Sequence, residues 1–229
     1  MWQAFLSSDL FGQSIVLILG IGSVVSWSLM VYKLWELKQV KQASGAFIAR
    51  FRRTERDPFS LSVASGANPD PASRLYSRAR KELLAQVESE PAHGCLTRRG
   101  IGRVEETMAQ VIEEEETDLK KWMMVLGSLA SAGPMLGILG TVYGVLIAFM
   151  GMGESRGATI DAVAPGIAGA LTTTVAGLLV AIPALIGYNC ITRQIDGFSG
   201  SLYRFASEVS LAAEDAFPPA GSERTEDEE

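Results

Sequence analysis

Thr141 and Thr174, two hydroxyls set in long apolar runs, are the residues of this chain best placed to do chemistry. Thr141 lies 20 residues beyond Lys121, and Thr174 lies 19 residues before Arg193. At a rise of about 1.5 Å per residue, the two fall at nearly the same height on antiparallel helices. Spacing alone leaves two readings open. In one, each hydroxyl bonds the carbonyl one turn back on its own helix or reaches a neighbouring helix. In the other, the pair lines a narrow wet path and faces a charged group on another molecule, because polar groups inside a membrane are costly and mark ion routes. Proton relay normally needs a titratable site, and residues 122–153 and 162–192 contain no Asp, Glu, Lys, Arg or His. An acid would therefore have to come from a partner.

Other chemistry finds little support. The single histidine, His93, sits in a Pro/Gly turn near Cys95, without a second pair of ligands at zinc spacing. The glycines of GILGTVYG are not followed by the Lys-Ser/Thr ending of a phosphate loop. Ser128 and Ser131 have no base near them in sequence, so a nucleophilic triad has no basis. The run Glu113 to Glu116 reads as a solvated helix face, with Glu116 and Lys120 as an i,i+4 pair. The chain is expected not to be an enzyme, and no cofactor or metal is implied. Its acid is concentrated in that run and in the tail ERTEDEE, which disfavours nucleic acid as a partner. Two cysteines, Cys95 and Cys190, are too few for a disulfide framework and are expected as free thiols.

The elements that must position the threonines are long and apolar. A hydrocarbon core about 30 Å thick needs about 20 helical residues to cross it. Residues 13–32, 122–153 and 162–192 each reach that length without a charge. The last two form a hairpin about a polar turn, residues 154–161. Both are crowded with small residues at helical spacing: Gly133, Gly137, Gly140 and Gly144 on the first, and Gly166, Ala170, Thr173, Gly177, Ala181 and Ala184 on the second. Small residues let helix backbones approach closely in lipid.

Charge then orients the chain. Residues 33–121 hold 16 of the 20 Lys and Arg residues, the hairpin turn holds only Arg156, and the first 12 residues hold none. Positive loops stay inside. The expected fold is an all-α membrane protein with three transmembrane helices, N-terminus out and C-terminus in, and long cytoplasmic helical extensions. Residues 1–12 form a short periplasmic N-terminus. It lacks the basic n-region of a secretory signal, so the first span is retained. Residues 33–121 form a cytoplasmic helical region. There the first span runs on until the Ser/Gly/Pro-rich stretch 57–71 breaks it. A short helix through Leu75, Ala79, Leu83 and Val87 follows, and a stripe from Ile101 leads straight into the second span. Past the third span, residues 193–217 are a cytoplasmic helix. Ile191, Ile195, Phe198, Leu202, Phe205 and Val209 step along it as a packing seam. Residues 218–229 are an acidic, disordered tail.

The segments PMLGILGTVYGVLIAF and VAPGIAGALTTTVAGLLVAIPALIGYN resemble the signature of the TolQ/ExbB family, which is related to the flagellar stator MotA. The resemblance covers the chain in topology and is motif-specific from about Gly133 to Asn189. The short outer N-terminus is closer to TolQ than to those ExbB proteins with a long periplasmic extension, and MotA itself has four spans. The resemblance implies a homopentameric ring in the bacterial inner membrane around two copies of a TolR- or ExbD-like single-span partner. That partner's membrane aspartate carries the proton, facing two pore threonines that map onto Thr141 and Thr174. Gly137, Gly140, Gly144, Pro165, Gly166, Gly177 and Pro183 fall in the helix-packing motif. The implied activity is that of a proton-driven motor subunit energising envelope or outer-membrane processes. ExbB-like import and gliding motility are its variants, and a non-conducting scaffold is the alternative outside the family. One departure touches the ion path: the family pattern reads GIAEAL where this chain reads GIAGAL, so Gly169 stands in place of a glutamate.

The charge asymmetry makes the orientation testable. Green fluorescent protein fused after Glu229 is expected to fluoresce, and alkaline phosphatase fused at the same place to be inactive. The opposite pair of results would place the C-terminus outside.

Overall fold

The computed structural model describes residues 10–54, 59, 70–89, 97–154 and 160–217. The first nine residues, most of the Ser/Gly/Pro-rich break, His93, Cys95, Arg156 and the acidic tail from residue 218 lie outside the described residues. Five helices account for the described elements: α1 (Leu10–Arg52), α2 (Pro71–Ser89), α3 (Arg98–Lys120), α4 (Met123–Glu154) and α5 (Ile160–Ala216). Helices α1, α4 and α5 are each long and apolar enough to cross a membrane.

Local chemistry explains several boundaries. Helix α2 opens on Asp70-Pro71: the Asp70 carboxylate accepts from the Ser73 backbone N–H at 3.1 Å. Proline at the first helical position loses nothing by lacking a donor. Helix α3 is capped by Thr97, whose hydroxyl accepts from Gly100 N–H at 3.2 Å. The apolar stripe of α3 does not run straight into the second span as expected. It stops at Lys120, and Trp122 sits at φ 69° before α4 begins. A left-handed conformation at a bulky residue interrupts helical bonding at a cost on the order of 1 kcal/mol or more. On the other side of the hairpin there is no interruption: α5 runs through residue 193 as one helix of 57 residues.

The chain divides into two compact units. The first comprises Met1–Leu34 and Lys121–Thr192 and holds the apolar halves of α1 and α5 with all of α4. Here Ile15 and Leu19 of α1 bury against Val180 of α5, with Leu136 and Ala176 packed around them. Glycines admit the larger partners: Gly187 lies against Met30, and Gly127 against the Tyr188 ring. Large apolar side chains such as Leu17, Val24, Met135, Val142, Leu179 and Ile186 point outward, as lipid or further helices require.

The second unit comprises Trp35–Lys120 and Arg193–Glu229. Its described core is aromatic. Phe51 meets Phe205 edge-on at 5.2 Å and Tyr76 at 5.8 Å, and Leu75, Leu83, Met108, Ile112 and Leu202 are fully buried in the same unit. Aromatic pairs in this geometry add stabilisation beyond their buried area. The five seam residues in this unit, from Ile195 to Val209, are all buried.

The four-glutamate run on α3 is not a uniformly solvated face, because one helix turn points its members in different directions. Glu113 and Glu114 are exposed, whereas Glu115 turns into the bundle and pairs with Arg74 of α2 at 2.8 Å. Glu116 pairs with Lys120 at 2.6 Å as expected, and Lys120 also reaches Asp196 at 3.1 Å. Burial pushes the Glu115 carboxyl above its ordinary range, and Arg74 only partly offsets this. The hydrogen bond from Lys120 pulls Glu116 the other way.

The sign of the Glu115 contribution follows from linkage. Its folded pKa is raised, so its share of stability is fully present below the unfolded value and is lost as pH rises through the folded one. Glu115→Gln removes that loss. The melting temperature of the full chain in detergent, variant minus wild type, is expected to become more positive between about pH 4 and about pH 7. A difference that stays flat or falls over that range would contradict the burial effect.

Candidate ion-path site

The site is built on close approach of two backbones. Along α4, Gly133, Gly137, Gly140 and Gly144 recur every three or four residues and so occupy one face. They meet, in antiparallel order, Gly177 with Ala181, then Thr174, Thr173 and Ala170 of α5. Further along, Gly166 faces Ala148. The fit leaves no room for side chains. A Cβ added at Gly137 would stand 2.9 Å from Thr174 Cα, and one at Gly177 would stand 2.5 Å from the Gly133 carbonyl oxygen. Contacts this close against backbone cannot be relieved by a rotamer change.

That approach carries the threonines to a common level. The Thr141 and Thr174 hydroxyls are hydrogen-bonded to each other across the helix pair. Thr141 Oγ1 also donates towards Gly137 O at 3.1 Å and Ala170 O at 3.2 Å. Thr174 Oγ1 donates towards Gly137 O at 3.0 Å. A third hydroxyl joins them: Thr173 Oγ1 reaches Ala170 O at 2.7 Å and Gly137 O at 3.1 Å. Both expected local roles are therefore present, the bond one turn back and the bond across helices.

Proton bookkeeping defines what the cluster can do. Thr141 and Thr174 carry one hydroxyl proton each. If Thr174 donates to Gly137 O, Thr141 donates to Thr174 or to Ala170 O. If Thr141 donates to Gly137 O, Thr174 can turn to Thr141. Either way both protons are used inside the chain while oxygen lone pairs remain free. The pair can accept from a protonated acid at once. It can donate to an ionised acid by giving up one internal bond. Thr141 and Thr174 are partly exposed and can meet such a group, whereas Thr173 is only 2% exposed and acts within the helix contact.

The remaining motif residues divide by position. Gly137, Gly140, Gly144, Gly166 and Gly177 lie in the α4–α5 contact. Pro165 and Pro183 lie inside α5, nine residues to either side of Thr174. Gly169 is buried and lines a cavity of about 110 Å³ with Tyr143, Gly144, Gly166 and Thr173. The residue missing from the sequence-based site is Thr173 as a hydrogen-bonding partner. Its place on the small-residue stripe marked it for packing, and its hydroxyl then had to find an acceptor within that packed face. Among the described residues no three His, Cys, Asp or Glu side chains converge.

A family model, described as the MotA/TolQ/ExbB proton channel family, matches residues 77–203, which include α4 and the threonine cluster. The chain belongs to this family. Among similar proteins, the Tol-Pal system protein TolQ of Pseudomonas aeruginosa is 32% identical over 211 residues, covering 91% of this chain and 90% of the relative. The biopolymer transport protein ExbB of Pseudomonas putida is 26% identical over 97% of this chain and 66% of its own length. The ExbB of Salmonella typhimurium is 28% identical over 92% of this chain and 84% of its own. As a member of the family, the chain is a channel-type membrane protein that carries its polar cluster at the α4–α5 contact.

The steric demand at that contact separates glycines that look alike in sequence. Gly137→Ala is expected to destabilise the α4–α5 pair by about 1–3 kcal/mol, the usual scale for overpacking. Gly151→Ala, whose added Cβ meets nothing within 4 Å, is expected to leave stability nearly unchanged. Thermal melting of both variants in the same detergent checks the contrast, and equal stabilities would refute the close approach.

Proposed function

We propose that this chain is the proton-channel stator subunit of an ion-driven motor in the bacterial inner membrane, TolQ-like in its role. The carrying observation is the Thr141–Thr174 pair, a polar cluster with free lone pairs at one level of two spans that contain no Asp, Glu, Lys, Arg or His. Such a pair assists proton transfer only if an acid is brought to it. A single-span partner of the TolR or ExbD type, carrying a membrane aspartate, supplies that acid. Its carboxyl donates to the threonine lone pairs when protonated and accepts from a threonine that releases its internal bond when ionised.

In this reading the spans run with the N-terminus outside and the second unit in the cytoplasm. Five copies ring two partner helices, and proton flow moves that central pair and delivers work to the envelope. The identity to the Pseudomonas aeruginosa TolQ favours Tol-Pal-type envelope maintenance. The ExbB relatives keep biopolymer import as the second reading. Gly169 leaves the segment between Gly166 and Ala170 without a carboxylate, so the threonines and the partner's acid carry the transfer without one there.

Thr141→Val and Thr174→Val are each expected to lower proton flux at least about 10-fold, on the scale of losing a positioned proton-transfer group. Flux is measured in proteoliposomes holding the complex with its single-span partner. Thr→Ser at either position is expected to retain most of it, and native mass in mild detergent is expected to stay unchanged throughout. Wild-type flux in both valine variants would refute the proposal.

A further inference from the structure

The second unit presents two unlike surfaces on opposite edges of α5. On one edge, residues 199, 203, 206 and 210 face α3, as shown by the Ser210–Glu105 hydrogen bond and the cavity shared by Met108, Ile112, Tyr203 and Ala206. On the other edge, α5 and the distal part of α1 leave a groove of about 380 Å³ whose lining includes Lys41, Ser44, Gly45, Gly197, Ser201 and Arg204. The groove exists because its walls are small: a Cβ added at Gly45 or Gly197 meets nothing within 4 Å.

Its charge is positive and not balanced from within. Arg52, at its far end, is neutralised by Glu208 at 2.7 Å. Lys41 is held only by the neutral Gln194 amide at 3.4 Å, and Arg204 has no ion pair among the described residues. The groove asks for a carboxylate-bearing surface.

The same unit carries one. The outward face of α3 displays Glu106, Glu113 and Glu114, all exposed and without an ion pair among the described residues. Its level relative to the groove is set by the bonds that fix α3 antiparallel to α5, Lys120 to Asp196 at one end and Glu105 to Ser210 at the other. By that register Ser201 is level with Glu114, and Arg204 with Val111, within one turn of Glu113 and Glu114. In a ring whose axis runs along these helices, every copy stands at the same level, so two surfaces can join neighbours only if they match in height. These do.

We propose that the α1–α5 groove of one copy receives the acidic α3 face of the next copy, Glu113 and Glu114 against Ser201 and Arg204, as a head-to-tail contact that closes the ring. The contact rests on the ring reading under Proposed function and deepens it by assigning the surfaces. A heterologous interface between opposite edges of one unit generates a ring when its rotation closes, and complementary charge fixes the register of such a contact.

The test uses the full chain with its own cysteines replaced, Cys95→Ser and Cys190→Ser, co-expressed with its single-span partner. Arg204→Cys combined with Glu114→Cys is expected to form disulfides between copies, giving a ladder of covalent oligomers on oxidation. Arg204→Cys with Arg99→Cys, about 18 Å from that level along α3, is expected to give none. Arg204→Glu is expected to lower the ratio of ring to monomer about 10-fold through like-charge contact, and Glu113→Lys with Glu114→Lys to restore it. A wild-type ring in which the first pair never cross-links and charge reversal has no effect would overturn the proposed contact and leave the ring reading standing. So would a ring in which the Arg204→Cys thiol stays freely reactive with a maleimide, or is shielded without cross-linking to α3, because a different occupant or none would then fill the groove. A wild-type chain that runs only as a monomer would remove the ring reading and the contact together.

Discussion

The contact of α4 with α5 is the constraint on which the first unit depends. Within a membrane, burying apolar surface between helices gains little over leaving it in lipid, so association relies on close packing and on polar contacts between helices. Four glycines on one face of α4 answer that requirement by removing every side chain that could hold the backbones apart. The Gly137 carbonyl then lies within reach of three threonine hydroxyls, and the polar cluster becomes part of the helix contact itself. Packing and the polar cluster share the same atoms. Thr173 serves the contact from inside, while Thr141 and Thr174 keep lone pairs at its open side.

The second unit is held by different physics. Its core is aromatic and aliphatic in the manner of a water-exposed bundle, with Phe51, Tyr76 and Phe205 meeting from three helices. Helix α2, between two stretches that lie outside the described residues, is secured by this core and by the Arg74–Glu115 pair. A buried carboxylate is an expensive way to hold a helix, since desolvation offsets much of the Coulomb attraction. What the pair adds is direction: Arg74 can meet Glu115 only when α2 and α3 are in register. Glu113 and Glu114 of α3 and Arg204 of α5 are left without an ion pair among the described residues.

Much of this was legible in the chain itself. Length and absence of charge determined three helices able to cross a membrane, because the thickness of the hydrocarbon core and the rise of a helix leave no other outcome. Counting residues from the flanking cations placed Thr141 and Thr174 at one height, and the glycine spacing marked the face of α4 that meets α5. The motifs around both threonines carried the family resemblance. Tertiary structure decided what counting along single helices cannot, namely how each helix is rotated against its neighbour. It selected Thr173, among three consecutive threonines, for the inside of the contact. It turned Glu115 inward while leaving Glu113 and Glu114 in water, and it stopped α3 at a left-handed Trp122 where the apolar stripe read as continuous. Periodicity defines a face only to within about one residue, or about 100° of rotation, and which side chain finds a partner within that arc depends on residues far away in sequence.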